Sequence, residues 1–229
     1  MRKNIRKKVS VIIIIIGVLI LVYPYFLEIK TKQDMKQTIN EFISTEKKQD
    51  SESNRYLEEL YLEMEKYNDE IAFNGQNIID AFSYNNIDFD LSKYGLKENI
   101  IGTINIPKIN IELPLYLGST KENLNKGATI LGQTSMPLGK TNSNTVIAAH
   151  RGLAKHQMFR HIDKLEIGDE VKLTTLWDEL YYEVKNTKII DPSEYNQVLI
   201  EKGKDKLTLI TCHPYRINTQ RYVVYCERK

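Results

Sequence analysis

The spacing of hydrophobic and polar positions changes character four times along the chain. Val11 to Leu27 is an uncharged apolar run of about 17 residues, at the short end of what spans a bilayer core. Thr31 to Asn54 is dense in Lys, Gln, Glu, Asp and Ser, with Met35, Ile39, Phe42 and Ile43 at helical spacing. It reads as a solvated helix or a partly mobile stalk. Tyr56, Leu57, Leu60, Tyr61, Met64, Tyr67 and Ile71 then recur at three- and four-residue steps, which predicts an amphipathic helix docking its stripe on the body. Asn74-Gly75 ends it. Ile78 to Tyr84 and Phe89 to Leu91 form an irregular, aromatic-bearing connection, of the kind that packs over a groove or stays mobile.

From Asn99 the rhythm becomes that of short strands. Ile100 to Ile106 and Ile109 to Tyr116 are apolar runs punctuated by Pro107 and Pro114. Lys121 to Asn125 fits one helical turn. Ala128 to Gly132, Thr145 to His150, Val171 to Leu176 and Leu180 to Ile190 read as further strands. Gln157 to Leu165 reads as a short helix, and Asp191 to Gly203 as mostly loop. Leu207 to Thr211 and Tyr222 to Tyr225 make a last hairpin, broken at Pro214 and Asn218. Many short strands at regular intervals predict an all-β barrel or sandwich with helical additions.

Charge adds an address. Formal net charge is +2, from 30 acidic and 32 basic residues, which leaves no broad basic field for nucleic acid. The local excess lies at Arg2, Lys3, Arg6, Lys7 and Lys8, just before the apolar run. No small-residue cleavage site follows that run; Tyr23, Pro24, Tyr25 and Phe26 do. An uncleaved anchor with a cytoplasmic basic tail fits better than a cleaved signal. The rest of the chain would then face outward.

The last hairpin carries the candidate chemistry. Cys212 ends its first strand and Arg221 begins its second, so pairing brings them face to face. Cys226 lies five residues beyond Arg221, roughly 16 Å away and on the opposite face, which argues against a disulfide with Cys212. Cys212 is then read as a free thiol and Cys226 as a small buried residue. Of four histidines, His150 ends the apolar strand Val146 to His150. His156 and His161 lie in a charged stretch, and His213 points away from the face Cys212 uses. No metal-ligand spacing is present, and nothing calls for a cofactor. A thiolate nucleophile, an imidazole acid or base, and a guanidinium for an oxyanion form a coherent set. On these residues alone, a cysteine acyl-transferase or thiol protease competes with a buried structural cysteine.

Thr208-Leu-Ile-Thr-Cys212, Ala149-His150-Arg-Gly152 and Asn218-Thr-Gln-Arg221 resemble, in order, the nucleophile, histidine and arginine segments of sortases, the cysteine transpeptidases of the Gram-positive surface. Ile101 to Asn110, Leu113 to Gly118, Thr134 to Pro137 and Thr211 to Asn218 are most similar to class C, the pilin-polymerising branch. The resemblance covers about Tyr67 to Arg228. It implies an eight-stranded β-barrel over residues 98–229, preceded by a basic tail (1–9), a transmembrane anchor (10–27), a helical stalk and N-terminal helix (28–76) and a lid-like loop (77–97). It implies that Cys212 attacks the Thr–Gly bond of an LPxTG-like signal, His150 transfers protons, and Arg221 assists. Its partners would be LPxTG-type surface or pilin proteins, an acceptor amine such as a pilin lysine, and the membrane. Asp80-Ala81-Phe82 stands where class C carries an Asp-Pro-aromatic lid, so Asp80 would meet Arg221 and Phe82 would cover Cys212. Ala81 departs from that pattern, as does His213 after the nucleophile. Attachment of proteins to a peptidoglycan peptide is the alternative within the family. A catalytically silent surface-binding barrel is the alternative outside it.

Overall fold

The computed structural model describes residues 2–46, 51–84, 87, 89–96, 99–152 and 157–229. Its first element, α1 (Arg2–Glu46), runs through the apolar stretch and the polar one without a break, with Pro24 inside it. At about 1.5 Å per residue it is roughly 67 Å long. Val11 to Val22 lies exposed, and the helix is long and apolar enough to cross a membrane. Its far end docks: Ile39 and Phe42 are buried, and Met35 and Ile43 pack on the body. Of the two readings of Thr31 to Asn54, the described part is a helix, seated on the barrel by its apolar positions.

The second helix, α2 (Ser51–Asn74), has the predicted stripe. Leu60, Met64 and Ile71 are buried, and the Trp177 ring meets Tyr61 edge-on with centroids 5.4 Å apart. Polar side chains fix its register. Buried Asn68 donates to the Met136 carbonyl (3.0 Å) and accepts from the Met136 amide (2.7 Å). Both backbone groups are thereby satisfied in a place water does not reach.

Eight strands close the barrel: β1 (Ile100–Ile106), β2 (Ile111–Leu117), β3 (Ala128–Ile130), β4 (Ser143–Ala148), β5 (Glu170–Thr175), β6 (Glu179–Ile190), β7 (Asp205–His213) and β8 (Gln220–Arg228). A six-residue helix, α3 (Lys121–Lys126), lies between β2 and β3. Strand order around the barrel is β1-β2-β3-β4-β7-β8-β6-β5. β2/β3 and β4/β7 are parallel, and the remaining pairs are antiparallel. Gly102 permits the close antiparallel pairing of β1 with β5, where a Cβ would lie 2.4 Å from the Thr174 carbonyl oxygen.

Gln157 to Leu165 is a departure from expectation. It forms turns and one short 3-10 segment, Ile162–Lys164, instead of an α-helix. Its backbone bonds run three residues back, from the Arg160 amide to Gln157, Ile162 to Phe159 and Leu165 to Ile162, the tighter pattern of turns and 3-10 segments, and they bury Phe159 and Ile162.

Period-2 alternation sorts the strands into two cores. Ile147 of β4, Leu207 and Leu209 of β7, and Val224 and Cys226 of β8 fill the barrel. Their neighbours Val146, Ala148, Ile210 and Val223 point outward into a second cluster. That outer cluster is completed by Ile78, Ala81 and Phe82, from the connection after α2.

Candidate active site at the rim of β4, β7 and β8

Cys212 pairs with Arg221 across the β7/β8 hairpin, as the sequence predicts. Parity places both on the outer face, since Cys212 follows Ile210 by two and Arg221 precedes Val223 by two. His150 lies two residues beyond the end of β4. The parallel register sets Ala148 beside Ile210, and the Ala149 amide donates to the Ile210 carbonyl at 3.3 Å. Two residues past that pair in sequence come His150, beyond the last residue of β4, and Cys212, within β7. Thr211 secures the end of this seam by donating its hydroxyl to the Ala149 carbonyl at 2.7 Å. Three segments distant in sequence thus deliver a thiol, an imidazole and a guanidinium to one place.

The segment after α2 lies over them. Asp80 accepts from Arg221 Nε at its Oδ1 and from Arg221 Nη2 at its Oδ2, both at 2.7 Å. This is the fork-to-carboxylate geometry that fixes orientation as well as charge. Arg221 Nη1 donates to the carbonyls of Asn218 (3.0 Å) and Gln220 (2.8 Å), so every guanidinium nitrogen is engaged. Phe82 stacks over the site: its ring lies 5.8 Å from the His150 ring and 5.1 Å from the Arg221 guanidinium carbon. Ala81, between them, is fully buried and opens a 3-10 turn ending at Tyr84 in the left-handed region. Residues 85, 86, 88 and 97 of the 77–97 segment, and His156, lie outside the described residues.

Burial sets the protonation states. It is the main cause pushing the Cys212 thiol up from its ordinary value; Asp80 adds to the rise, while Arg221 and Arg151 oppose it. Burial also holds His150 below 6.5. Under this cover the resting pair at neutral pH is a thiol and a neutral imidazole. Cys226 is free and buried inside the barrel opposite Leu207, its thiol pushed up to about 12 by burial. No group of three or more metal-ligating side chains occurs among the described residues.

Two neighbours have no role assigned by the sequence. Tyr195, in the loop after β6, lies against Asp80, and burial followed by the Asp80 charge raises its phenol. Arg151, directly after His150, is buried and bonded to His213. A groove of about 760 Å³ lies at the other end of β4, lined by Asn68, Phe73, Lys140 and Leu199.

Residues 104–229 match the Sortase domain family. Sortase A of Bacillus anthracis is 35% identical over 128 residues, covering 56% of this chain and 59% of that protein. Sortase D of Bacillus subtilis is 32% identical over 130 residues, so the match spans less than two thirds of either relative (63% of this one). Sortase A of Listeria monocytogenes is 26% identical over 224 residues, 97% of this chain and 90% of that one. Among solved structures, sortase C of Streptococcus pneumoniae superimposes with a TM-score of 0.75 at 34% identity, covering 84% of this chain and 96% of that chain. Sortase C of Clostridium perfringens gives 0.68 at 32% identity, covering 84% and 98%. The chain belongs to the sortase family of cysteine transpeptidases.

Proposed function

We propose that this chain is a membrane-anchored transpeptidase that cleaves an LPxTG-like signal between Thr and Gly and passes the acyl group to an amine, a lysine of a pilin subunit. One observation carries the reading: Cys212, His150 and Arg221 converge on one outward rim, under a segment whose Asp80 grips Arg221. In this scheme residues 10–27 are the anchor, 1–9 the cytoplasmic tail, 28–76 the helical stalk and docking helix, 77–97 the lid, and 98–229 the barrel outside the cell.

The chemistry follows from the three side chains. His150 takes the Cys212 proton, the resulting thiolate attacks the Thr carbonyl carbon, and the carbonyl electrons move onto oxygen. Arg221, always cationic, stabilises that oxyanion or holds the substrate backbone beside it. The oxyanion collapses, the C–N bond to Gly breaks, and the His150 imidazolium gives its proton to the departing amine. The acceptor amine then attacks the thioester and loses a proton to His150, and the C–S bond breaks to regenerate the thiolate. Because Asp80 occupies both Nε and Nη2 of Arg221, the lid segment must withdraw before substrate can use them.

The pilin acceptor is supported by likeness to class C structures, among them sortase C1 of GBS pilus island 1, with a TM-score of 0.75 at 33% identity over 85% of this chain and 92% of that one. The test is a competition. An LPxTG donor peptide is incubated with the enzyme, a pilin-derived lysine peptide and a peptidoglycan stem peptide, and products are identified by mass. Ligation to the pilin lysine is expected; exclusive ligation to the stem peptide would move the reading to wall anchoring.

A further inference from the structure

The pleat that turns Cys212 and Arg221 outward turns their next neighbours, His213 and Tyr222, to the opposite face, and Arg151 follows His150 at the bend after β4. These three also meet. Arg151 Nη1 lies 2.7 Å from His213 Nδ1, and Arg151 Nη2 donates to Asp163 Oδ2 at 2.7 Å. The Arg151 guanidinium carbon stands 5.5 Å from the centre of the Tyr222 ring, and the His213 ring stands 5.9 Å from it. Arg151 is 7% exposed. A second constellation therefore sits back to back with the first, one residue further along each of the same three segments.

We infer that the Arg151–His213 bond is a clamp that positions His150 against Cys212, and that protonation of His213 opens it. The inference rests on the proposed roles of His150 and Cys212. The bond ties the residue after one to the residue after the other, so neither strand end can slide without breaking it. A guanidinium only donates, which makes His213 Nδ1 the acceptor and fixes the neutral Nε2–H tautomer. A second proton on His213 removes that acceptor and sets two cations against each other. The groups facing His213 are Arg151 from the end of β4, Asp163 from the 3-10 turn and Tyr222 from β8, with Cys212 beside it on β7. Burial first and the Arg151 charge second hold His213 below 6.5, and Asp163 opposes them. The clamp is closed at neutral pH and is lost as pH falls through the His213 value. Arg151 and His213 are positioning residues, acting through their neighbours.

The test uses the full chain in detergent, with thioester formation on an LPxTG peptide measured against pH. His213→Asn keeps an acceptor at all pH values and is expected to retain the neutral-pH rate within roughly threefold. Its acid limb should be one proton less steep than that of the native chain. His213→Phe has no acceptor and should lose roughly tenfold or more in kcat with KM little changed, the scale set by small misplacements of reacting groups. Equal behaviour of the two variants, or an unchanged acid limb in His213→Asn, would overturn the clamp. Imidazole NMR of the native chain gives a readout separate from catalysis. His213 should be the Nε2–H tautomer, with a midpoint below 6.5 that rises in Arg151→Met. The other tautomer, or an unmoved midpoint, counts against the clamp even if peptide chemistry proceeds. If no thioester forms at all, the role of Cys212 fails, and the NMR result still decides the clamp.

Discussion

Asp80 engages Arg221 through both carboxylate oxygens, at 2.7 Å each, so the contact that closes the site also occupies its cation. The same carboxylate raises the Cys212 thiol while Arg221 lowers it. Asp80→Ala removes the first effect and leaves Arg221 free to exert the second. Alkylation of Cys212 by iodoacetamide at pH 7.5 is expected to speed up roughly tenfold, in the range expected when a charge beside a thiol is removed. An unchanged or slower rate would contradict the role of this segment as a lid.

Phe82 tests the cover separately from the charge. Its ring lies 5.8 Å from the His150 ring, and burial is what holds His150 below 6.5. In Phe82→Ala water reaches the imidazole, and its NMR midpoint should rise toward the ordinary value. Thiol labelling should accelerate as well, because burial is also the main cause of the raised Cys212 value. A His150 midpoint that stays in place would show that other groups bury the site.

Ala81 is where the lid departs from the class C pattern, and the backbone is already shaped for a proline. Asp80, at φ −55 and ψ 129, lies close to the polyproline II conformation that a following proline allows, and Ala81 opens the turn, where a missing N–H is tolerated. Ala81→Pro should stabilise the closed lid by about 0.4–1 kcal/mol, slowing Cys212 labelling roughly two- to fivefold. Faster labelling would mean that the ring does not fit the packed space around the buried Ala81.

The barrel was legible because its signals are local. Alternation gives the strands, Pro214 and Asn218 break the last hairpin, and pairing then sets Cys212 against Arg221. The placement of Cys226 on the opposite face follows from the same parity, and it is buried opposite Leu207. What remained hidden depends on contacts between distant segments. The docking of Ile39 and Phe42 on the barrel is invisible in a stretch so rich in charge. Gln157 to Leu165 has helical composition, yet its backbone turns to bury Phe159 and Ile162. Asp80 and Phe82 drew notice through the family pattern, whereas Tyr195, Arg151 and Asp163 act through partners that only the folded chain supplies.

The central claim is that Cys212 carries the acyl group. Incubating the full chain with an LPxTG peptide and measuring its intact mass, in the Asp80→Ala background to expose the thiol, tests it most directly. The account predicts a thioester adduct of the peptide cleaved after Thr, mapped to Cys212 and abolished by Cys212→Ala. An adduct that persists in Cys212→Ala, or one mapped to Cys226, would contradict it.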